Sequence, residues 1–578
     1  MTGVRESEGP GRGRRVRELT MEEKGIPFIR FVSAAALLLL GACVVLLSWV
    51  PPVSRDALVH HLALPKLFLR HGILADFPTM VYSYYPMNLD LLYMIPLRFG
   101  NDIAPKLIHF SFGLLTAWVL YAYLKSRLGR TYGLMAALFF LSTPVIVKLS
   151  TTVYVDLGVI FFSTAALLLL LQWAERRFRS RYLLLSAVCC GLALGTKYNA
   201  LICLLLLTFL ASVLRVRGAP SGRRGFLSAA GSGVLYLTVA LLLFSPWMIR
   251  NYTLKSNPLH PLFKGWFTGA GAGVGREGAG QIRASGPRYG FFTYRKVVYG
   301  ESGWDIALLP LRIFFQGRDG DPRYFDGRLN PFLLILPVFA FLRRGEERKP
   351  MAKEKWVFLA FSVLFLCFAL FTSALRIRYI SPIIPPLVIL SVLGVRNLAA
   401  WGKEKGASWG RVGGPALAVG LSAAMIFLNA AYVHAQFRIV EPFTYIRGSV
   451  SRDQYIDKRR PEYAAMRYMS KALPRDARVL FLFVGKRGYY CDRDYVLFEG
   501  AFKRAVTRGG SPREICRGLQ LAGVSHLLVF EPLLNRWVLD NFRGDRLKRI
   551  RKFFERYVRG LYCRNGFCVA ALNCPADG

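Results

Sequence analysis

The sequence has few acidic residues. It contains 35 Asp and Glu against 77 Lys and Arg, a formal charge of +42, and charged residues make up only 19% of it. Apolar residues make up 53%, and the mean hydropathy is +0.33. Because disorder requires low hydrophobicity, this composition excludes an intrinsically disordered chain. It is also more apolar than the average soluble domain, at about 45–50%.

The basic residues flank apolar runs and do not line one helix or one tail. Nucleic-acid-binding proteins concentrate Lys and Arg on one face or along one helix, so we expect no nucleic-acid partner. Apolar spans inside a bilayer, with Lys and Arg in the loops, explain both the hydrophobicity and the charge. The lipid bilayer is therefore the first predicted partner.

Histidine is scarce, and cysteine lacks metal-site spacing. The seven histidines include the adjacent His60 and His61, and none of the ten cysteines belongs to a C-x-x-C pair. A histidine-rich or zinc-finger-like centre is therefore not expected. No cofactor is firmly implied, although the sequence leaves a divalent metal open.

Eleven apolar runs approach the length of a membrane span, about 20 residues. They are Phe28–Val50, Ile103–Leu124, Tyr132–Leu149, Val155–Trp173, Tyr182–Gly195, Ala200–Leu214, Phe226–Met248, Pro331–Leu342, Trp356–Ser373, Tyr379–Val395 and Pro415–Val433. We therefore predict a mostly α-helical, multi-pass transmembrane bundle of about eleven spans.

The loops between these runs alternate in charge. Lys and Arg cluster near residues 12–17, 125–130, 176–181, 215–224, 343–355 and 396–411. By the positive-inside rule this side is cytoplasmic. We expect a protein of the inner (plasma) membrane with a cytoplasmic N-terminus, and an odd number of spans places the C-terminus outside.

The predicted domains are a basic cytoplasmic tail at 1–27, a transmembrane domain at 28–433 and an extracytoplasmic C-terminal α/β domain at 434–578. Two long outer loops lie at about 51–102 and 251–330. The first contains two amphipathic stretches, Asp56–Arg70 and Met87–Phe99, which are typical of helices at the membrane interface.

Charged residues at the outer edge of the membrane are the candidate site. Such charges are expensive, so each is a functional hypothesis by default. They are Asp56, Asp156, Lys197, Arg376 and Arg378. The alternatives are that they pair with one another structurally, or that the cations reach lipid phosphates along the membrane surface.

Around these residues the sequence resembles a known family. The segments are SRDALVHHLALPKLF around Asp56, YYPMNLDLLY at Tyr84–Tyr93, YVDLGVIFF at Tyr154–Phe162, GLALGTKYNAL at Gly191–Leu201, SPWMIRNYTLKSNPLHPLF at Ser245–Phe263 and RIRYISPIIPPL at Arg376–Leu387. The chain resembles integral-membrane glycosyltransferases of the GT-C superfold. It is most similar to the bacterial branch that resembles protein O-mannosyltransferases and the aminoarabinose-to-lipid-A transferase.

The resemblance implies a role for each site residue. Asp56 would be the catalytic base and Asp156 a second acid of the outer cavity. Lys197, Arg376 and Arg378 would bind the donor phosphate, and the substrate cavity would include His60, Tyr85 and Asn88. Many members have an Asp-Glu pair in the first loop, whereas here Ala57 follows Asp56. This departure leaves metal use and the kind of acceptor open.

The predicted function is transfer of a sugar from a polyprenyl-phosphate-linked donor to a glycolipid, polysaccharide or protein acceptor, with inversion. Two alternatives remain. A transporter or flippase of lipid-linked sugars would often show internal repeats, which we do not find. An envelope assembly protein would use the C-terminal domain to bind a partner, and would not depend on Asp56.

The C-terminal segment LYCRNGFCV, Leu561–Val569, predicts a β-hairpin. Asn-Gly is the strongest two-residue hairpin signal, because a type I′ turn requires positive φ at both central residues. Cys563 and Cys568 then lie opposite each other, near the separation that a disulfide needs. We predict a Cys563–Cys568 disulfide in an oxidising compartment, with free thiols or a bond to Cys574 as alternatives.

Overall fold

The computed structural model describes residues 26–73, 75–218, 222–267, 290–342, 349–370, 375–404, 408–497 and 499–575. Most of the predicted N-terminal tail, residues 1–25, lies outside them. So do residues 268–289 of the second outer loop and parts of the charge clusters predicted to be cytoplasmic, including 343–348 and 405–407.

Apolar helices form most of the chain up to Val440. Their bounds are Ile26–Ser48, Ala104–Leu128, Arg130–Ser142, Pro144–Ser150, Asp156–Glu175, Ser180–Leu194, Ala200–Gly218, Arg223–Lys255, Phe332–Phe339, Lys349–Leu370, Ile384–Glu404 and Ser408–Val440. Among the described residues, seven helices are long and apolar enough to cross a membrane, or eight if one bent pair counts as a span. The multi-pass helical architecture is confirmed, whereas the count of eleven stays a prediction.

Two of the predicted spans do not form one long straight helix. Tyr132–Leu149 is divided into two helices that meet at 69°, because Thr143, which precedes Pro144, is held extended at φ −55°, ψ 129°. The predicted span Pro331–Leu342 contains a helix of only eight residues, Phe332–Phe339. Eight helical residues cover about 12 Å, too little to cross a bilayer alone.

The first outer loop forms four short helical segments. They are a π-helical turn at Ala57–His61, an α-helix at Ala63–His71, a 3₁₀ turn at Val81–Tyr84 and an α-helix at Asn88–Arg98. Three of these segments contribute apolar residues, among them Ala57, Ala63 and Leu89, to one core with Tyr489 of the C-terminal domain. The loop therefore lies packed between the bundle and that domain.

The second outer loop packs on the segment that carries the predicted arginines. The helical segments of the loop are Lys264–Phe267, Phe291–Tyr299, Gly303–Ala307, Leu309–Phe315 and Pro322–Tyr324. The arginine segment forms the 3₁₀ turn Ile377–Ile383, two helices later in the chain. The Ile377 N–H donates to the Phe325 carbonyl at 2.9 Å. Gly317 permits this approach, because a Cβ there would lie 2.4 Å from the Gly327 carbonyl oxygen.

The C-terminal domain is α/β, as predicted. Its helices are Pro442–Ile446, Arg452–Arg459, Tyr463–Ala472, Glu499–Arg508, Pro512–Leu521, Glu531–Asn541 and Gly544–Tyr557. Its strands are β1 (Arg478–Leu482), β2 (Asp494–Val496), β3 (His526–Phe530), β4 (Val558–Arg564) and β5 (Phe567–Leu572). The order is β2-β1-β3-β5-β4. β1 runs parallel to β2 and β3, whereas β5 runs antiparallel to β3 and β4.

The predicted hairpin forms between β4 and β5. Asn565 and Gly566 have φ of 53° and 76°, and Cys563 lies opposite Cys568 with their Cα atoms 4.1 Å apart. The structure places a disulfide between these two cysteines, and a second one between Cys516 and Cys574. The second pair brings together residues 58 positions apart, which no local pattern indicates.

Candidate active site

Three of the predicted cations surround one aromatic ring. The ring centroid of Tyr379 lies 5.0 Å from Lys197 Nζ, 5.8 Å from the Arg376 guanidinium carbon and 5.2 Å from that of Arg378. Aromatic faces attract cations within about 6 Å. The turn Ile377–Ile383 supplies the ring, and Lys197 reaches it from the loop between helices Ser180–Leu194 and Ala200–Gly218.

Asp56 and Arg378 form a nearly buried ion pair. Asp56 Oδ2 lies 2.6 Å from Arg378 Nη2, and the Arg378 side chain is only 6% exposed. Burial raises the pKa of Asp56, but the positive charge of Arg378, 2.6 Å away, outweighs burial and holds that pKa well below its usual range. Asp56 is therefore a carboxylate at neutral pH.

Asp156 and Lys197 form a second ion pair, with Oδ1 and Nζ 2.6 Å apart. Asp156 is the first residue of helix Asp156–Glu175, where a negative charge is favoured by the helix dipole. Its second oxygen, Oδ2, is buried and has no hydrogen-bond partner among the described residues.

The third cation, Arg376, pairs with a residue that sequence reasoning missed. Arg376 Nη1 lies 3.3 Å from Asp326 Oδ2 in the second outer loop. Asp326 lies 50 positions away, and the packing of that loop on Ile377 brings it here. Each of the three cations therefore has one carboxylate partner, so the paired set carries no net charge.

The adjacent histidines lie together in the π-helical turn, with ring centroids 3.9 Å apart. His60 stacks on Tyr82 at 4.4 Å, and His61 Nδ1 lies 2.8 Å from Asp90 Oδ1. Burial lowers the pKa of His61 to about 3 and raises the pKa of Asp90 to about 8. The 2.8 Å contact therefore joins two groups that are both less easily charged than in water. Sequence reasoning missed Asp90, although an acid in the apolar stretch NLDLLYM is a signal.

Tyr85 and Asn88 form one side of the same region. The Tyr85 ring contacts those of Tyr82 and Tyr198 at centroid distances of 5.3 and 5.4 Å. Trp247 Nε1 donates to Asn88 Oδ1 at 2.9 Å, and the Asn88 N–H donates to the Gly195 carbonyl at 2.8 Å. The two predicted cavity residues are thus held by aromatic packing and by hydrogen bonds.

Several buried polar atoms of this region lack a partner within the described ranges. They are His60 Nδ1, Asp156 Oδ2, Arg376 Nε and Arg378 Nε. Buried polar groups are normally hydrogen-bonded, so each such atom calls for an explanation. A bound polar molecule would satisfy donors and acceptors of this kind.

The donor set does not favour a divalent cation here. Asp56 and Asp156 each use one oxygen on a cationic side chain, and Ala57 supplies no second acid. In the part of the chain that is described, three possible ligand atoms converge only at Glu531, Cys563 and Cys568, where the two cysteines are joined to each other.

Comparisons with known proteins match the chain to one family model and to several solved structures. Residues 97–249 match the family model described as dolichyl-phosphate-mannose-protein mannosyltransferase. ArnT from Cupriavidus metallidurans matches in its apo state with a TM-score of 0.54 and 13% identity, over 93% of this chain and 97% of ArnT. The same protein bound to undecaprenyl phosphate matches with a TM-score of 0.52 and 14% identity, over 94% and 97% of the two chains.

The archaeal oligosaccharyltransferase AglB from Archaeoglobus fulgidus, solved with an inhibitory peptide and a dolichol-phosphate, matches with a TM-score of 0.50. Identity is 12%, over 94% of this chain and 74% of AglB. No curated protein sequence matches the chain. The predicted GT-C resemblance is thus confirmed at the level of the fold.

Proposed function

We propose that this protein is a membrane glycosyltransferase that moves a sugar from a polyprenyl-phosphate-linked donor to an acceptor on the outer face of the membrane. The observation that carries the proposal is the Asp56–Arg378 pair, set beside Lys197 and Arg376 around Tyr379. The fold is that of ArnT, which has been solved with undecaprenyl phosphate.

The three cations suit the phosphate of such a donor. Arg binds phosphate oxygens through two parallel N–H donors, and Lys acts as a point charge. When the bond between the sugar and the phosphate breaks, the leaving lipid phosphate keeps the electron pair. Positive charge fixed beside it stabilises that developing charge, so the leaving group needs no protonation.

Asp56 is the proposed base. Its carboxylate takes the proton of the acceptor hydroxyl while the hydroxyl oxygen forms a bond to the anomeric carbon and the lipid phosphate leaves from the opposite face. One displacement of this kind inverts the anomeric centre. A base of this type typically contributes about 10²–10⁴-fold to the rate.

The pairing of charges gives the reaction an order. Because each cation already holds a carboxylate, a donor phosphate must compete for it. We propose that Arg378 exchanges Asp56 for the phosphate, which frees the carboxylate for the acceptor hydroxyl. Donor binding then precedes activation of the base, and the base is not released before a donor is present.

The proposed location is the inner (plasma) membrane, with the N-terminus in the cytoplasm and the C-terminal domain outside.

Mass analysis of envelope glycolipids and glycoproteins from cells with and without the protein tests the function. We expect one class of envelope molecule to lose a pentose or hexose increment, and to regain it with the wild-type chain. An unchanged envelope, together with no sugar transfer by purified protein from a polyprenyl-phosphate donor, contradicts the proposal.

A further inference from the structure

A groove of about 420 Å³ lies on the C-terminal domain between helices Arg452–Arg459 and Tyr463–Ala472 and strand β4. This volume is within the usual range of small-molecule sites, about 300–1,000 Å³. None of its lining residues belongs to the candidate active site. We propose that the groove binds a saccharide.

Aromatic rings form one wall of the groove. Tyr468 and Tyr562 stack in parallel, with ring centroids 4.7 Å apart and planes at 15°, and both side chains are half-buried. A half-buried tyrosine offers an apolar ring face and a polar hydroxyl together. A pyranose or furanose has the matching surface, a face of C–H groups edged by hydroxyls.

Charged groups of both signs form the rest of the lining. Arg467 pairs with Asp453, which also accepts from the Tyr463 hydroxyl at 2.7 Å, and Arg564 lies 3.3 Å from Asp457 Oδ2. Asp457 Oδ1 is buried and has no hydrogen-bond partner among the described residues. Carboxylates accept from sugar hydroxyls and guanidinium groups donate to sugar oxygens, so this lining suits hydroxyl groups. Lys471 also lines the groove, which therefore carries three cations and two carboxylates, so phosphate is the competing ligand that the experiment must exclude.

The groove is joined to the loop that carries Asp56. The Tyr463 ring, in the groove wall, packs edge-on against that of Tyr490 at 5.0 Å, and the Tyr490 hydroxyl donates to the Pro52 carbonyl at 2.8 Å. Pro52 lies four positions before Asp56. We infer that the bound saccharide is part of the acceptor, an assignment that rests on the proposed function, whereas saccharide binding does not.

Saturation-transfer NMR on the full chain in lipid nanodiscs tests the binding, with lactose, cellobiose, mannobiose and diacetylchitobiose as probes. At least one disaccharide should bind. Asp457→Asn should weaken it by about tenfold, the effect of one lost hydrogen bond to a charged group. Tyr562→Leu should also weaken it, because the substitution removes an aromatic face. Asp540→Asn is the matched control, because Asp540 and Arg536 form an exposed pair within helix Glu531–Asn541, which does not line the groove.

Binding of none of the probes, or equal binding by the wild type and both groove variants, overturns the proposal.

Inorganic phosphate separates a saccharide site from an anion site. Asp457→Asn removes a negative charge, so it should weaken a sugar but strengthen phosphate, and tighter wild-type binding of phosphate than of any probe also overturns the assignment. In a transfer assay Tyr562→Leu should raise KM for the acceptor and leave KM for the donor unchanged. If the wild-type chain binds sugar but transfers none, the proposed function is contradicted and saccharide binding by the groove is not.

Discussion

Asp56 Oδ2 and Arg378 Nη2 lie 2.6 Å apart, and the Arg378 side chain is only 6% exposed. A proposed base is thus paired with a proposed phosphate ligand. Removing one partner of a buried pair leaves the other uncompensated, so the two residues are expected to act as a unit. Substitutions at either position therefore need readouts that separate catalysis from folding.

Asp56→Asn should reduce sugar transfer by about 10²–10⁴-fold while the protein remains inserted, because an amide is nearly isosteric but cannot take a proton. Transfer by purified protein measures the effect, and thermal unfolding in detergent checks the fold. Asp545→Asn, at a 94% exposed position, is the matched control and should be fully active. Wild-type rates from a well-folded Asp56→Asn variant would remove Asp56 from the mechanism.

Arg378→Met should move the acid limb of the kcat/KM profile to higher pH. Arg378 opposes the effect of burial on the pKa of Asp56, so without the guanidinium that pKa rises and the base becomes protonated at a higher pH. In the wild type the Asp56 carboxylate persists below the ordinary Asp value of about 3.9. Arg378→Lys keeps the charge and should retain an acid limb close to that of the wild type. An identical profile for Arg378→Met would show that the pair does not set the protonation of the base.

Lys197→Met and Arg376→Met should raise KM for the lipid donor more than KM for the acceptor, since both cations lie beside Tyr379 where we place the phosphate. Steady-state kinetics with each substrate varied in turn measures the difference. Equal donor constants in both variants would assign these side chains to structure or to lipid contact.

A double variant controls for folding in that experiment. Lys197→Met leaves Asp156 buried without its cation, which typically costs about 3–5 kcal/mol. Lys197→Met/Asp156→Asn removes both charges and should recover much of that stability without recovering donor affinity. Recovery of both together would point to a structural role.

Peptide mapping without reduction should recover Cys563–Cys568 and Cys516–Cys574 as linked pairs. Chain-entropy estimates give about 4 kcal/mol for the bond that closes 58 residues and about 2 kcal/mol for the bond that closes five. Replacing both members by Ala should therefore destabilise the domain about twice as much at Cys516–Cys574. Recovery of alkylatable thiols from intact cells would refute the bonds and weaken the external placement of the domain.

A reporter that is active only in the cytoplasm, fused after Gly578, should be silent. The expectation follows from the Lys and Arg clusters on one side of the bundle. The same reporter in the basic loop near residues 176–181 is the positive control. Activity at both positions would overturn the orientation and every outer-face assignment.

Sequence reasoning identified the charged residues of the site better than their partners. Asp56, Asp156, Lys197 and Arg378 stand out because charge at a membrane edge is costly. Asp326 does not stand out, because its meeting with Arg376 depends on how two distant segments pack. In the structure these four residues form two ion pairs, Asp56 with Arg378 and Asp156 with Lys197.

The same limit applies to the fold. Local patterns indicate the helix positions and the Asn565-Gly566 hairpin. They also indicate Ser511 as a helix cap, and its side chain accepts from the Glu514 N–H. The basic stretch 533–558 belongs to two helices, Glu531–Asn541 and Gly544–Tyr557, which separate near Gly544, whose φ is 53°. The bend at Pro144 has a local signal, since proline disfavours helical geometry at the preceding residue.

The contact between Tyr490 and Pro52 bears on how the protein matures. In the proposed orientation the bundle enters the membrane during synthesis, whereas β2, β3 and the cysteine pairs emerge later and fold on the far side. Pulse-labelled chains should therefore acquire activity with the slower kinetics of the exported C-terminal domain, and activity that appeared before its disulfides would contradict this order. We therefore expect a newly inserted bundle to stay inert until its last 140 or so residues have been exported, oxidised and docked, so that the site does not consume donor lipid on an unfinished molecule.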